Sequence, residues 1–307
     1  MGEKFKVLVA DSIDAGSIEL LKNHPSLDVT VKTKMTPEEL VGFIPPFHAI
    51  IIRSASKVTR PVIEAGKNLK LVARAGVGLD NVDQVAAKEK KITVKNTPAC
   101  TTISVAELAF GLMLSLARKI GRANISMKNG EWDKKSFEGI ELYGKTLGLI
   151  GIGRIGLAVA ERASAFGMKV IAFDKFVNTS PSPIVKMAPF EDILKTSDFI
   201  SLHIPFDKNA GPTLREEQFQ LMKKGVILVN CARGGTVDEK ALLAALSSGI
   251  VAAAGIDVWE KEPTTNLELV KHQNVIALPH LGASSEEGQA RAGKEVAEIV
   301  IAELSKA

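Results

Sequence analysis

Three glycines with GxGxxG spacing, followed by a carboxylate, give this sequence the residues needed to bind a dinucleotide. Residues 146–174 run as an apolar strand, the glycines, a helical segment and a second apolar strand that ends in Asp174. In this context Gly151 permits a tight turn, Gly153 lets the backbone approach a pyrophosphate, and Gly156 lets the helix pack close to the strand. The helix N-terminus would attract the phosphates, and Asp174 would accept hydrogen bonds from the adenosine ribose. A purely structural turn needs only the small residues, without the strand, helix and acid.

The composition indicates an ordinary globular protein. A length of 307 residues, with 46% hydrophobic and 24% charged side chains, is typical of a chain with two domains. The net charge of +4 is mild, which gives no case for nucleic-acid binding, and no apolar run is long enough to span a membrane. Met1–Lys6 lacks a signal-peptide pattern, while Cys100 and Cys231 are too few for a disulfide framework and lack metal-ligand spacing. We therefore expect a cytoplasmic protein with reduced thiols and no metal, nucleic-acid or membrane partner.

Strands and helices alternate over the first hundred residues. The predicted strands are Lys6–Ala10, Asp28–Val31, Ala49–Ile52 and Leu71–Ala73. Thr36 and Glu39 form a predicted capping box with Pro37 at the first helical position, and Thr59 precedes a further helix. The alternation is interpreted as five strands, of which these four have predicted bounds, and it predicts a small parallel sheet of flavodoxin-like pattern.

A long apolar helix, with Ser104 and Glu107 as its predicted capping box, follows the break at Thr97 and is a plausible bridge between domains. Further strands are predicted at Phe199–His203, Val226–Cys231, Val251–Val258 and Val275–Ala277. Ser284 and Glu287 would cap a last helix, Gly288–Leu304, that crosses back to the first domain. The chain should therefore carry a Rossmann domain, 99–283, inserted into a flavodoxin-like domain, 1–98 with 284–307, through hinges at 97–101 and 281–284.

Four segments with polar side chains follow predicted strands. They are RAGVG at 74–78, NCARGG at 230–235, DVWEKEP at 257–263 and PHLGA at 279–283. Each alone is explained by a surface arginine, an acidic loop, a structural histidine or a flexible turn. Because functional groups in open α/β sheets lie beyond the carboxyl ends of strands, their common position favours a functional site.

The motifs NCARGG, IDVWEKEP and PHLGA, placed after GIGRIG, resemble those of the D-isomer-specific 2-hydroxyacid dehydrogenases. Within that family RSASKVT, RAGVGLDNVD, SMKNGEW and KKGVILVNCARGG most resemble the D-3-phosphoglycerate dehydrogenases. The resemblance implies two doubly wound domains, NAD as cofactor, a site in the cleft and a homodimer built largely on the cofactor domain. The sequence ends at Ala307, so we expect a form without the long regulatory extension of some members.

The resemblance also assigns the chemistry to a trio of residues. His280 would be the general base that takes the C2 hydroxyl proton, with Glu262, rather than Glu260, beside its imidazole. A neighbouring carboxylate raises a histidine pKa, which favours general acid catalysis by His280 in the reverse direction. Arg233 would hold the substrate carboxylate, for which its planar fork is better suited than lysine. Asp257 would orient the nicotinamide carboxamide.

Further contacts are implied in the same way. Beside the glycines and Asp174, the NAD contacts implied are Val77, Arg154, Ile155, Ile204, Cys231, Ala232, Arg233, Asp257, His280, Gly282 and Ala283. Backbone N–H groups over Gly76, Val77 and Gly78 could form a nest for the substrate carboxylate. Arg53, Ser54 and Lys134, the last reaching across the dimer, are candidates for a substrate phosphate. At Thr101 many members have asparagine, which leaves the substrate contacts of that turn open.

Three functions are compatible with these residues. The first is NAD-dependent oxidation of 3-phosphoglycerate to 3-phosphohydroxypyruvate, the first step of L-serine biosynthesis. The second is reduction of glyoxylate or hydroxypyruvate by the same trio without a phosphate contact. The third is an NADH-sensing protein of the corepressor type, which shares the fold without the reaction. Arg53, Lys134 and Lys135 favour the first, because a phosphate dianion needs cations.

Overall fold

The chain forms two compact units. The computed structural model describes residues 4–306; residues 1–3 and 307, where the predicted domain limits begin and end, lie outside this part. One unit combines the described residues up to Thr101 with those from Ala283 onward, and the other is Thr102–Gly282. The chain thus crosses between units at 101/102 and 282/283. The sequence placed these limits at 98/99 and 283/284.

The first unit contains a five-stranded parallel sheet. Its strands are β1 (Phe5–Val9), β2 (Leu27–Val31), β3 (Ala49–Ile52), β4 (Leu71–Arg74) and β5 (Thr93–Asn96). Its helices are α1 (Ala15–Lys22), α2 (Pro37–Phe43), α3 (Arg60–Ala65), α4 (Gln84–Glu89) and, near the end of the chain, α12 (Glu286–Leu304). The strand order β2-β1-β3-β4-β5 is that of flavodoxin, which confirms the predicted fold class of this unit.

Apolar residues cover both faces of this sheet. Every residue of β3 is buried, because a strand in the middle of a parallel sheet has helices on both sides. Ile50 and Ile52 belong to one core, and Ile51 belongs to the core on the opposite face. The predicted capping box of α2 is confirmed: the Thr36 and Glu39 side chains each accept a backbone N–H from the other residue.

The second unit contains a seven-stranded parallel sheet. Its strands are β6 (Thr146–Ile150), β7 (Lys169–Phe173), β8 (Val185–Met187), β9 (Phe199–Leu202), β10 (Val226–Asn230), β11 (Val251–Ile256) and β12 (Val275–Ala277). Its helices are α5 (Thr102–Ala117), α6 (Ile120–Lys128), α7 (Arg154–Ala165), α8 (Phe190–Thr196), α9 (Glu216–Leu221), α10 (Glu239–Ser247) and α11 (Leu267–Lys271). The order β12-β11-β10-β9-β6-β7-β8 reverses direction at β6, which makes the end of β6 the expected ligand site and confirms the Rossmann prediction.

The helix at the start of the second unit differs from its prediction. α5 begins at Thr102, so Ser104 lies inside the first turn and the predicted capping box with Glu107 is wrong. The helix packs against α7, β10 and β11 of its own unit. It ends at Ala117, and Lys119, with a left-handed φ of 53°, separates it from α6. α5 is therefore a core element of the second unit.

The last helix begins at Glu286, two residues before its predicted start at Gly288, and its N-cap is one residue after the predicted Ser284. Its N-cap is Ser285, whose Oγ accepts the N–H of Gly288 at 3.0 Å; the predicted Ser284 cap is wrong. The helix packs on α1 and β4, which agrees with the predicted return to the first domain. Within residues 4–306, no helix combines the length and apolar character needed to cross a membrane.

Candidate active site

The glycine turn after β6 has the backbone geometry that a dinucleotide needs. Gly151 has a φ of 97°, and a Cβ atom there would lie 2.5 Å from the His203 carbonyl oxygen. A Cβ at Gly156 would lie 2.3 Å from the Gly151 oxygen, so helix and turn touch closely. A Cβ at Gly153 would meet no protein atom within 4 Å. Protein packing therefore requires the first and third glycines, while the second leaves backbone accessible to a ligand.

The groups beside this turn suit NAD. Gly153 is the N-cap of α7. The first turn of the helix, which includes Arg154 and Ile155, therefore presents backbone N–H groups that have no partner within the helix and can bind phosphate. Asp174 follows β7, and its Oδ2 and Oδ1 accept the backbone N–H groups of Ile152 at 3.0 Å and Phe176 at 2.8 Å. A carboxylate has about four acceptor positions, so these bonds fix Asp174 and leave capacity for ribose hydroxyls.

His280 and Glu262 form a hydrogen-bonded pair at the end of the sheet. His280 Nδ1 lies 2.8 Å from Glu262 Oε2, and Glu262 Oε1 accepts the N–H of Trp259 at 3.1 Å. The bond with Glu262 raises the pKa of His280 above 6.5, against the effect of burial. Burial raises the pKa of Glu262, but the bonds from His280 and Trp259 outweigh it and hold that pKa below 4.5. The pair keeps Nδ1 engaged and leaves Nε2 for proton exchange.

The turn that carries His280 is held by a buried carboxylate. His280 has a left-handed φ of 57°. Asp257 Oδ1 accepts the N–H of Leu281 at 2.6 Å, and its Oδ2 accepts the N–H of Gly282 at 2.8 Å. The Asp257 residue is completely buried. Burial raises the pKa of Asp257 above 3.8, and the two N–H bonds oppose this rise.

Arg233 stands in a turn that packs against the loop carrying Glu262. Its Nη1 donates to the Ala232 carbonyl at 2.7 Å, and a Cβ at Gly234 would overlap the Trp259 oxygen at 1.7 Å. The positive charge of Arg233 lowers the pKa of Glu262 and that of His280. The second unit therefore brings the predicted trio into one electrostatic environment.

The other predicted residues of the second unit are mostly enclosed. Cys231, Ala232 and Gly282 are buried, and Ile204 after β9 is half-buried. Burial raises the pKa of the Cys231 thiol, which therefore stays protonated. No group of three or more His, Cys, Asp or Glu side chains within residues 4–306 could hold a metal ion.

A second histidine lies beside the glycine turn, and sequence reasoning missed it. His203 follows β9, and its Nε2 lies 3.0 Å from the Oγ of the buried Ser201. Burial lowers the pKa of His203 to about 4. Because its ring is neutral near pH 7, His203 supports the turn and is unsuited to acid–base catalysis. Its position in the strand-end sequence LHIP was the available signal.

Arg53 in the first unit is fixed by its surroundings. Its Nη1 donates to the Ser12 carbonyl at 3.1 Å and to Gln289 Oε1 at 3.4 Å. Its backbone N–H donates to the buried Asp11 at 2.6 Å. Ser54, beside it, is exposed. Gln289 was not predicted as a site residue, because its place near Arg53 depends on the return of α12.

In the glycine-rich turn after β4, one of the three predicted nest donors is used within the protein. The Gly76 N–H donates to Thr97 Oγ1 at 2.7 Å, so this donor is committed to the protein; Val77 and Gly78 are half-buried. Arg74, which sequence reasoning did not single out, donates from Nε to the Arg53 carbonyl at 3.3 Å. A Cβ at Gly76 would lie 3.0 Å from Arg74 Nη1. Two guanidinium groups therefore stand at neighbouring strand ends of the first unit.

Three remaining predicted positions lie at the ends of the units or on the surface. Thr101 is 4% exposed, and Ala283 is half-buried. Lys134 is exposed and precedes a short 3-10 helix, Lys135–Phe137. Its contact with a substrate stays a prediction.

Comparison with known proteins agrees with this geometry. Residues 110–282 match the model of the D-isomer specific 2-hydroxyacid dehydrogenase NAD-binding domain. A hydroxypyruvate reductase from Thermotoga maritima is 49% identical over 98% of this chain and 99% of its own length. A D-3-phosphoglycerate dehydrogenase from Methanocaldococcus jannaschii is 48% identical over 96% of this chain, which spans 56% of that protein.

A solved structure has the same architecture. D-lactate dehydrogenase from Aquifex aeolicus, complexed with NAD and lactic acid, superposes with a TM-score of 0.84 at 30% identity, over 98% of this chain and 96% of that one. The glycine turn, the fixed Asp174 and the matching NAD-binding domain make NAD the cofactor. This chain belongs to the D-isomer-specific 2-hydroxyacid dehydrogenase family.

Proposed function

We propose that this protein is a cytoplasmic dehydrogenase that oxidises 3-phosphoglycerate to 3-phosphohydroxypyruvate with NAD, the first step of L-serine biosynthesis. The observation that carries the proposal is the pair of arginines, Arg53 and Arg74, in the first unit. Arg233 already supplies one guanidinium for a carboxylate. A simple 2-hydroxy acid has no second anionic group, whereas 3-phosphoglycerate carries a phosphate that bidentate arginines recognise well.

The residues of the second unit fit the proposed chemistry. NAD, when bound, accepts the hydride that leaves C2 of the substrate. His280 Nε2 takes the C2 hydroxyl proton, while Glu262 stabilises the imidazolium through Nδ1 at 2.8 Å. Arg233 binds the substrate carboxylate and polarises the C2 oxygen. In the reverse direction the protonated His280 returns its proton to the C2 oxygen, for which its raised pKa is favourable.

The nearest alternative is a reductase for hydroxypyruvate or glyoxylate. A relative of matching length is named hydroxypyruvate reductase, whereas the chain spans only about half of the phosphoglycerate dehydrogenases it matches. This reaction uses the same trio and needs no phosphate site. An NADH-sensing protein, the third candidate, would have no use for the His280–Glu262 pair.

Steady-state assays separate these functions. We expect 3-phosphoglycerate with NAD, and 3-phosphohydroxypyruvate with NADH, to give higher kcat/KM than glyoxylate or hydroxypyruvate. Arg53→Ala should raise KM for the phosphorylated substrates roughly ten- to a hundredfold, since a charged hydrogen bond is worth about 1.5–3 kcal/mol. It should leave KM for hydroxypyruvate nearly unchanged.

Arg60→Ala is the matched control for Arg53→Ala. Arg60 is a surface residue of the same unit that pairs with Glu89 at 2.7 Å, and its loss should change neither KM. A higher kcat/KM for hydroxypyruvate, with no selective effect of Arg53→Ala, would establish the reductase instead. Absence of turnover with every 2-hydroxy and 2-oxo acid would favour the sensing protein.

We also propose a homodimer formed by the second unit. Large apolar side chains lie exposed on α6 and in the segment after it: Ile120, Ile125, Met127, Trp132, Ile140 and Tyr143. Trp132 is 84% exposed, which is unfavourable in water unless a partner covers the ring. Light scattering should give twice the 32.8 kDa chain mass, and Trp132→Ser should shift the protein toward the monomer.

A further inference from the structure

His280 has a backbone conformation that needs support from its surroundings. Its φ of 57° lies in the left-handed region, where the Cβ of a non-glycine residue crowds the following carbonyl oxygen. Such residues persist only where neighbouring groups hold them, and they occur often at functional sites. The ring of His280 reaches Glu262 from this backbone position, so whatever holds the turn also positions the ring.

Asp257 meets the two N–H groups that follow His280. One carboxylate oxygen accepts from Leu281 at 2.6 Å and the other accepts from Gly282 at 2.8 Å. Asp257 is itself fixed, because its backbone N–H donates to the Asn230 carbonyl at 3.0 Å and its side chain is fully buried. A Cβ at Gly282 would lie 3.2 Å from Asp257 Oδ2, so the backbone approaches the carboxylate closely.

We propose that Asp257 is a positioning residue whose carboxylate clamps residues 281–282 and holds His280 in its left-handed conformation against Glu262. The clamp uses one acceptor position on each Asp257 oxygen and leaves capacity for the expected contact with the nicotinamide carboxamide, so it is a role in addition to that contact. The clamp is independent of the substrate. Its effect on turnover rests on the proposed role of His280 as the base.

The charges around His280 give the clamp a measurable signature. Glu262 and Asp257 raise the pKa of His280, and Arg233 lowers it. Asp257→Asn removes one anion from this set. It also replaces one acceptor oxygen with an NH₂ group that would face a backbone N–H, so one of the two bonds is lost. The His280 ring should therefore titrate at lower pH and leave its position beside Glu262.

The first test is an NMR titration of the His280 ring in the protein without cofactor or substrate. We expect Asp257→Asn to lower the pH of the His280 transition and to shift its ring resonances at every pH. Asp238→Asn is the matched control, because Asp238 accepts the Ala241 N–H at 2.9 Å as the N-cap of α10, a role that asparagine performs equally well. An Asp257→Asn titration that coincides with wild type and control would overturn the proposal.

A second test measures the left-handed backbone itself. Glycine adopts positive φ without strain and alanine does not. His280→Gly should therefore unfold at higher urea concentration than His280→Ala, and the gap should close when Asp257→Asn is added to both. Equal midpoints for the Gly and Ala variants would overturn the proposal, even if the Asp257→Asn proteins fail to fold.

Kinetics distinguish the clamp from a nicotinamide contact. Displacement of the base by about 1 Å can cost about 10²-fold in turnover, so the clamp predicts a strong fall in kcat for Asp257→Asn that a change in the Kd for NADH does not account for. A nicotinamide contact without the clamp would weaken NADH binding and leave the apoprotein titration unchanged, and that result would refute the clamp. If the preferred substrate is another 2-hydroxy acid, the proposed function fails, but the titration and unfolding results keep their meaning.

Discussion

His280 and Glu262, eighteen residues apart in sequence, are joined by a 2.8 Å contact between Nδ1 and Oε2. The contact fixes which ring nitrogen is engaged, so the other nitrogen is the one that can exchange a proton with a substrate. Trp259 extends the arrangement, since its N–H donates to the second Glu262 oxygen and its indole Nε1 donates to the Leu278 carbonyl at 2.9 Å. The acid and the base are thus tied to each other through side chain and backbone.

Glu262→Gln should move the pH dependence of catalysis toward lower pH. The carboxylate raises the pKa of His280, so its loss lets the imidazole become neutral at lower pH. Oxidation of the hydroxy acid needs the neutral imidazole, so the acid limb of its pH profile should move to lower pH. Reduction needs the protonated ring, and activity should be lost at lower pH than in wild type. Paired kcat/KM profiles in the two directions measure this.

Glu260→Gln is the control for that comparison. Glu260 lies in the same loop, but its carboxylate caps the Glu239 N–H at 3.0 Å, a bond that an amide oxygen retains. Its profile should match wild type. Identical profiles for Glu262→Gln and Glu260→Gln would show that the His280–Glu262 contact has no role in proton transfer.

The same pair should stabilise the fold within a limited pH range. Because the pKa of His280 is raised in the folded protein, its contribution to the free energy of unfolding is present below pH 6.5 and is lost as pH rises through that raised pKa. Because the pKa of Glu262 is lowered in the folded protein, its contribution is present above pH 4.5 and is lost as pH falls through that lowered pKa. The destabilisation caused by Glu262→Gln should therefore be largest from about pH 4.5 to 6.5. It should be small, because the side chains are 45% and 39% exposed. Urea midpoints against pH measure it; a difference that grows above pH 8 would contradict this assignment.

The three glycines of the dinucleotide turn should separate stability from binding. Gly151→Ala and Gly156→Ala should lower the free energy of unfolding, because the new Cβ meets backbone oxygens at 2.5 and 2.3 Å. Gly153→Ala should leave stability unchanged, since no protein atom lies within 4 Å of that Cβ. It should weaken NADH binding, because the Cβ would stand where the backbone approaches the pyrophosphate. Urea unfolding and fluorescence titration with NADH measure the two effects. Unchanged NADH affinity in Gly153→Ala would remove Gly153 from the cofactor site.

The features that sequence predicted best depend on local patterns. The GxGxxG turn, the two parallel sheets and the box at Thr36 and Glu39 follow from residue spacing alone. The cap of α12 could not be chosen in this way, because adjacent serines, Ser284 and Ser285, both precede the acidic first turn. Only packing of the helix decides between neighbouring caps.

Long-range hydrogen bonds account for what sequence reasoning missed. The clamp joins Asp257 to residues 281 and 282, which lie 24 and 25 residues further along the chain, and no local pattern specifies it. The left-handed φ of His280 follows from that clamp. Arg74 was overlooked because its importance comes from the Arg53 carbonyl, just after the end of β3, which parallel pairing of β3 with β4 brings close.

Asp174 should make NAD the preferred cofactor over NADP. Its carboxylate is fixed by Ile152 and Phe176, so it cannot easily turn away from a 2′-phosphate, and a like-charge clash costs several kcal/mol. In the wild-type protein kcat/KM should be higher with NAD than with NADP by orders of magnitude, and Asp174→Ala should lower this NAD-to-NADP ratio. Lys175, exposed beside it, could attract the phosphate, so Lys175→Ala should widen the ratio. Comparable efficiency of wild type with both cofactors would reject this role.

Lys134 should bind the substrate phosphate of the neighbouring protomer. It stands in an exposed segment with Trp132, which is 84% exposed, and Asp133 fixes the local turn by accepting the Ser136 N–H at 3.2 Å. A segment with such exposed aromatic surface is expected to dock on a partner. Lys134→Ala should raise KM for 3-phosphoglycerate roughly ten- to a hundredfold, because a charged hydrogen bond is lost. KM for NAD should stay nearly constant, and Lys128→Ala, at the exposed end of α6, should change neither.

Mixing of two variants decides whether Lys134 acts across the dimer. Lys134→Ala protomers keep His280, and His280→Ala protomers, whose own turnover should fall roughly 10²–10⁴-fold, keep Lys134. If Lys134 serves the other protomer, each mixed dimer has one site with both lesions and one intact site. Activity at low 3-phosphoglycerate should then recover as subunits exchange, which a mass-tagged protomer can verify. If exchange is complete and activity stays at the average of the two parents, Lys134 serves its own protomer or lies outside the site.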